Sequence, residues 1–292
     1  MALDAAPISR PAPRPLARLT ANLTPPLVVG LAIIGLVLLG AFLIPALSPF
    51  HADQINQENS LAGPSLLHPL GSDDLGRDVL VRVMVGYRIS LAVAAGSVLL
   101  ALMAGLPLGL ASGYLPGLVD NLIMRPLDVL MAFPAILLAV VVMAVLGTGT
   151  VVVVIAIGIV YTPIIARVMR ATTLTARGEL YVEAARARGA SALRIVTTHI
   201  LPNSLGPVIV QASILLGFAV LLEAALSFIG LGVRPPTPSL GLMLSTERDF
   251  MTQAPWAVVS PGGALMLLVL GFNLVGDGLR DRLDPRGRAR VR

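Results

Sequence analysis

The sequence has no cysteine. That removes disulfide frameworks, thiolate nucleophiles and cysteine-ligated metal sites from consideration. It has no lysine either, since all 21 basic residues are arginine. A P-loop needs a lysine that reaches the nucleotide phosphates, so any ATP-driven work must come from another chain. Charge is scarce altogether: 13% of residues are charged, against about 25% in a typical soluble domain. Histidine occurs three times, at His51, His68 and His199. These are isolated, with no His-Glu-x-x-His cluster, so no metal site is expected from this chain. A Gly-x-Ser-x-Gly nucleophile elbow is also missing.

What fills the chain is apolar. Of 292 residues, 56% are hydrophobic, and the mean hydropathy is +0.87. Such a surface would aggregate in water and suits lipid. A helix crossing a hydrocarbon core roughly 30 Å thick needs about 20 apolar residues. Six such segments are predicted: Leu27–Leu47, Ile89–Ser112, 127–146, 150–169, Leu205–Leu231 and Ala257–Asp277. The third and fourth form one uncharged run that Gly147-Thr148-Gly149 divides. The basic start followed by an apolar run also fits a signal peptide. The run exceeds a normal h-region and no small-x-small site follows, so an uncleaved span is the expectation.

The net charge of +5 does not point to nucleic acid, because the arginines sit at the ends of apolar segments rather than on one aromatic-interleaved face. With the N-terminus inside, sixteen arginines fall on the cytoplasmic side and five, Arg77, Arg82, Arg88, Arg234 and Arg248, outside. This bias sets both termini in the cytoplasm. Arg77, Arg82 and Arg88 are expected at the outer interface, with long side chains snorkelling. The fold class is therefore an all-α polytopic membrane protein with six transmembrane helices. Residues 1–24, rich in proline and arginine, read as a disordered cytoplasmic lead. Residues 25–90 hold the first span and an extracytoplasmic segment, 91–285 a five-helix core, and 286–292 a basic tail.

The informative stretch is the cytoplasmic loop 178–202, between the fourth and fifth spans. Gly189 suits a left-handed position after a helix, and Ser191 can cap the next one. That next helix is expected to end before Pro202. The result is a helix–Gly–helix knob, stiff and cationic.

At this point the chain resembles a family. Glu183-Ala184-Ala185, Gly189 and Leu201-Pro202 are similar to the signature of ABC-importer permeases. His68-Pro69-Leu70-Gly71-Ser72-Asp73, with Gly76-Arg77-Asp78, is similar to that family's outer motif, Ser72 replacing a threonine. Leu226-Ser227-Phe228-Ile229-Gly230, Ala254-Pro255-Trp256 and Asn273-Leu274-Val275-Gly276-Asp277 extend the likeness to the dipeptide, oligopeptide and nickel branch. His199 and Leu240 depart from the usual pattern. The resemblance implies a type I importer permease fold in the bacterial cytoplasmic membrane. It implies coupling to an ATPase through Glu183, Ala184, Ala185, Arg186, Arg188, Gly189, Ala190 and Leu193. It implies a homologous second permease subunit, two ABC ATPase subunits that bind ATP and Mg, and an extracytoplasmic substrate-binding protein reaching residues 68–88 and 232–256. No cofactor and no catalysis are expected in this chain.

Ionisable groups inside spans are candidates for function. Asp128 lies three residues after Arg125, on one helical face, as an ion pair or a gate. Glu223 either faces the pathway or hydrogen-bonds a neighbouring helix. Arg77 and Asp78 complete the pathway or gating candidates. Pro107, Pro134, Pro163 and Pro207 are hinges or static kinks. Gly105-x-x-x-Gly109 suits close helix contact. The reading is a permease subunit for short peptides. The alternatives are an importer permease for nickel or another small solute, and an ion-coupled secondary transporter, which would show inverted repeats.

Overall fold

A computed structural model describes residues 24–283; the leading and trailing basic segments lie outside them. Among the described residues all regular structure is helical. The helices are α1 (Pro25–Leu47), α2 (Val79–Tyr114), α3 (Leu118–Met131), α4 (Ala135–Leu146), α5 (Thr150–Arg177), α6 (Leu180–Ala187), α7 (Ala192–Phe228), α8 (Leu240–Glu247) and α9 (Pro255–Leu283). Five of them, α1, α2, α5, α7 and α9, are long and apolar enough to cross a membrane, and α3 with α4 meets the same measure of length and composition when the bent pair is taken as one span. In lipid each backbone polar group must find a partner within the protein, and helices satisfy that segment by segment.

Three boundaries differ from the sequence expectation. The second span starts ten residues early, at Val79, because the Asp78 carboxylate accepts from the Val81 amide at 2.8 Å and caps the helix. The division set at residue 90 thus falls inside α2. The third span is not one straight helix: α3 and α4 meet at 99°. Pro134 lacks an N–H and pushes Phe133 away from helical backbone, so the turn falls there. Alone, the 12 residues of α4 reach only about 18 Å at 1.5 Å per residue.

The third difference is at Pro202. The helix beginning at Ala192 does not stop before it but runs on through the membrane to Phe228. A π-helical turn over Val196–Ile200 makes this possible, with the Leu201 amide reaching back to the Val196 carbonyl. The widened turn places Pro202 at the start of a fresh α-helical register, where its missing N–H is tolerated.

Helix α2 packs most extensively on α5. Gly105, Gly109 and Gly113 form a stripe on α2 against Ile165, Met169 and Thr173 of α5. The spacing of four brings them onto one face, and without side chains the two backbones approach closely, as the sequence suggested for the first two. Around this pair, α7 and α9 complete a core rich in alanine and valine, and α1 lies on α9. Leu36, Phe42 and Met266 point outward and are exposed, which suits lipid or another subunit.

A methyl group at Gly109 would lie 2.6 Å from the Met169 Cβ. Gly109→Ala is expected to lower stability by about 1–3 kcal/mol through overpacking. Gly35→Ala in α1, whose added carbon would meet nothing within 4 Å, is expected to be neutral or stabilising by under about 1 kcal/mol. Thermal unfolding of both variants in detergent checks the contrast.

Candidate functional site

The loop 178–202 folds as a hairpin. Helix α6 begins after Glu179 and ends at Arg188, and Gly189 turns the chain at φ +77°. Ser191 then caps α7, its hydroxyl accepting from the Arg194 amide at 3.4 Å. Nothing crowds Gly189; the left-handed backbone, which glycine adopts without a Cβ clash, is what the turn requires.

The hairpin has a small core of its own. Ala176, Val182, Ala185, Ile195 and Ile200 are buried together, backed by Leu110 and Tyr114 from α2. Of the residues singled out from the sequence, Ala185 is therefore a core residue. Glu183, Ala184, Arg186, Arg188 and Gly189 are exposed and Ala190 is half-buried. Leu193 is 75% exposed, and so, at 80%, is Leu180, which the sequence reading missed. A cleft of about 370 Å³ between the two arms is lined by Arg188, Arg194, Thr198 and His199 among others. The hairpin thus presents two leucines and a basic rim on a rigid base.

The base is tied to the membrane helices by ion pairs. Arg170 on α5 makes a bidentate contact with Asp120 on α3, at 2.7 and 2.6 Å, and Ser112 on α2 donates to the same carboxylate. Two parallel N–H···O bonds give a guanidinium–carboxylate pair its geometric specificity. Sequence reading did not find this link, although Asp120 and Arg170 lie at the same predicted membrane face. Asp128 was expected to pair with Arg125. It pairs instead with Arg167 on α5, at 2.6 Å. Sharing a helical face was not enough, because α5 offers a guanidinium from across the bend.

At the opposite end of α2 the arginines do not snorkel. Arg77 donates from Nε to Asp73 at 2.6 Å. Arg82, 3% exposed, lies 3.2 Å from the same carboxylate and donates to the Ala52 carbonyl at 2.8 Å. Arg88 donates to the Ala41 carbonyl on α1 at 2.6 Å and stacks over Phe42. Arg77 and Arg82 turn inward because segment 48–78 folds back over the outer end of α2 and supplies acceptors there, while Arg88 finds its acceptor on α1. Asp78, besides capping α2, accepts from His68 Nδ1 at 2.8 Å. Trp256, at the start of α9, donates to the Ser72 carbonyl at 3.1 Å and fastens the segment to the last span.

Glu223 is fully buried within α7. It accepts from Ser90 on α2 at 2.8 Å and from Ser227 at 2.7 Å, so it joins two helices. Glu247 of α8 comes to the outer cluster, and one oxygen each from Asp73, Asp74 and Glu247 lies within 4.8 Å of the others. Helix packing, not sequence spacing, creates that meeting.

Comparison with known proteins agrees with this architecture. Residues 105–289 match the family described as binding-protein-dependent transport system inner membrane component. A dipeptide transport system permease protein from Alkalihalophilus pseudofirmus is 46% identical, over 88% of this chain and 86% of that one. A glutathione transport system permease protein from Pectobacterium atrosepticum is 44% identical, over 88% and 84%. Among solved structures, inward-facing conformations of a methionine ABC transporter align with a TM-score of 0.55 at 21% identity, over 70% of this chain and 96% of that one. An amino acid ABC transporter solved with histidines aligns at 0.54 and 15%, over 71% and 94%. With its six crossings, its hairpin between the fourth and fifth, and these relatives, the chain belongs to the binding-protein-dependent transport system inner-membrane components and is a multi-pass permease subunit of an ABC importer.

Proposed function

We propose that this permease carries short peptides and forms half of their pathway with a homologous second permease subunit. Its own residues position and transmit and do no chemistry on the substrate. Two ATPase subunits, which hold ATP and Mg, dock on the hairpin 178–202. An extracytoplasmic binding protein delivers substrate near residues 68–88 and 232–256. The substrate class rests on the dipeptide and glutathione permeases among its relatives.

The observation that carries the docking role is the exposure of Leu180 and Leu193 on a hairpin whose Val182, Ala185, Ile195 and Ile200 are buried in a core of their own. Two leucines facing water at a rigid tip signal a partner surface. Covering one leucine contributes about 2 kcal/mol, and the basic rim at Arg186, Arg188 and Arg194 adds complementarity to an acidic lip. Because α7 is continuous from Ala192 to Phe228, a push on Leu193 moves the span itself.

The test exploits the missing cysteines. Single cysteines at Ala187, Ala190 and Ala192, oxidised against a cysteine in the ATPase cleft, are expected to crosslink in a position- and ATP-dependent way. If no position crosslinks while all three are labelled from the cytoplasm, the coupling role is wrong. ATP-dependent uptake of a labelled dipeptide by the whole transporter tests the substrate, and accumulation of a different solute alone would overturn that part.

Two variants follow. Leu193→Asp is expected to weaken ATPase association at least about tenfold, since 1.4 kcal/mol is a factor of ten; co-purification of the ATPase at graded concentrations measures it. Gly189→Ala forces a Cβ into left-handed backbone at about 1–2 kcal/mol. Its hairpin is expected to be cut faster by trypsin at Arg186 and Arg188, with the membrane helices intact.

A further inference from the structure

The outer end of the molecule holds a charge imbalance that the importer reading does not use. Glu247, at the last residue of α8, is 1% exposed, and its Oε2 has no hydrogen-bond partner. Its other oxygen accepts a 3.4 Å contact from Thr246, and Asp74 lies within hydrogen-bonding reach of the carboxylate. Beside it lie the carboxylates of Asp73 and Asp74. An ionised carboxylate buried with an unpaired oxygen is costly, several kcal/mol even after relaxation.

The facing groups can be counted element by element. The segment before α2 contributes Asp73, Asp74 and Arg77, and α2 contributes Arg82. Asp53 reaches Arg82 from the loop after α1. On the turn after α8, Arg248 and Asp249 point to solvent and to each other. Helix α7 offers Glu223, which its serines already satisfy, and the first four turns of α9 carry no ionisable residue. Four carboxylates, Asp53, Asp73, Asp74 and Glu247, therefore face two guanidiniums; Asp53 is exposed to solvent, and within the packed part of the cluster Glu247 and Asp74 hold the excess negative charge.

A divalent cation fits this geometry poorly. Asp73 already accepts from Arg77 Nε, from the Arg77 amide at 2.8 Å and from the Leu75 amide at 3.0 Å. Two guanidiniums beside it would repel a doubly charged ion. One proton removes the buried charge at Glu247 and gives it a donor for its neighbour. We infer that Glu247 and Asp74 share a single proton drawn from the extracytoplasmic side, and that this proton latches α8 to the segment 72–78. Burial, then the adjacent Asp74 and Asp73, push the Glu247 carboxyl up to about 7, within the range a bacterial surface meets.

The sign follows from that direction. A carboxyl held at about 7 in the folded protein, and near 4.3 when solvated, stabilises the contact fully below the lower value. The contribution is lost as pH rises through the upper one. Above the midpoint the latched fraction falls about tenfold per pH unit. Helix α8 packs on α2, α7 and α9, three of the long membrane-crossing helices, so the device sets how firmly the outer mouth is held as external pH changes.

The test uses the whole transporter in lipid nanodiscs. Met243→Cys, buried on α8 at 2%, is labelled with an impermeant maleimide, and its rate is divided by that of the exposed Gln57→Cys to cancel thiol ionisation. The ratio is expected to climb about tenfold between pH 6 and 8, and to stay low and flat with Glu247→Gln, whose amide keeps a donor at every pH. Asp74→Asn is the second variant, read the same way if Glu247→Gln does not assemble. A ratio that ignores pH, or a pH dependence that survives the amide substitution, overturns the latch. A ratio that changes on removing Ca²⁺ and Mg²⁺ with a chelator, rather than with pH, also overturns it and assigns the cluster to a cation.

Discussion

Everything else in this structure hangs on the close approach of α2 and α5. Within lipid there is no hydrophobic drive pressing one apolar helix on another, so helices associate through contact area and hydrogen bonds. The glycine stripe at Gly105, Gly109 and Gly113 lets the α5 backbone settle directly on α2. Side chains that larger residues would hold apart, such as Ile165 and Met169, become completely buried. That pair is then a rigid beam: its outer end carries the segment 48–78 and its inner end supports the hairpin 178–202 through Leu110 and Tyr114.

The hairpin gains its stiffness from the same beam. Its five buried apolar residues would make a weak core alone, but they rest on α2 and are bordered by the Asp120–Arg170 contact. The π turn at Val196–Ile200 continues the logic, since it carries the hairpin arm into α7 without a break at Pro202. A loop joining them would let the hairpin move independently of α7, whereas a continuous helix ties the two together.

The charges at the outer end follow a different rule. Arg77, Arg82 and Asp73 are packed largely away from water, Asp74 stands half-buried beside them, and the charges pair over short distances. Removing one member of such a set leaves a buried charge and costs about 3–5 kcal/mol. The network therefore holds the segment 48–78 in one place, and Trp256 adds a tie to α9. Glu247 is the member whose Oε2 has no hydrogen-bond partner, which makes it the point where the surroundings can act on the network.

Much of this was legible without coordinates. Apolar length already specified a membrane helix bundle, and Gly189 with Ser191 already specified the hairpin turn. These are local properties, set by single-residue backbone preference and by transfer to lipid. The partners of the charges were not legible, because they depend on which helices become neighbours: Asp128 met Arg167 instead of Arg125, and Glu247 met Asp74 across 173 positions. Nor could the sequence show that a π turn would carry a helix through Pro202, or that α2 would extend back to Val79 and bury its arginines. Sequence by itself determined what crosses the membrane and where it turns, since solvation and backbone sterics act residue by residue; only the tertiary structure decided which buried charge answers which, since that is a matter of distance in space.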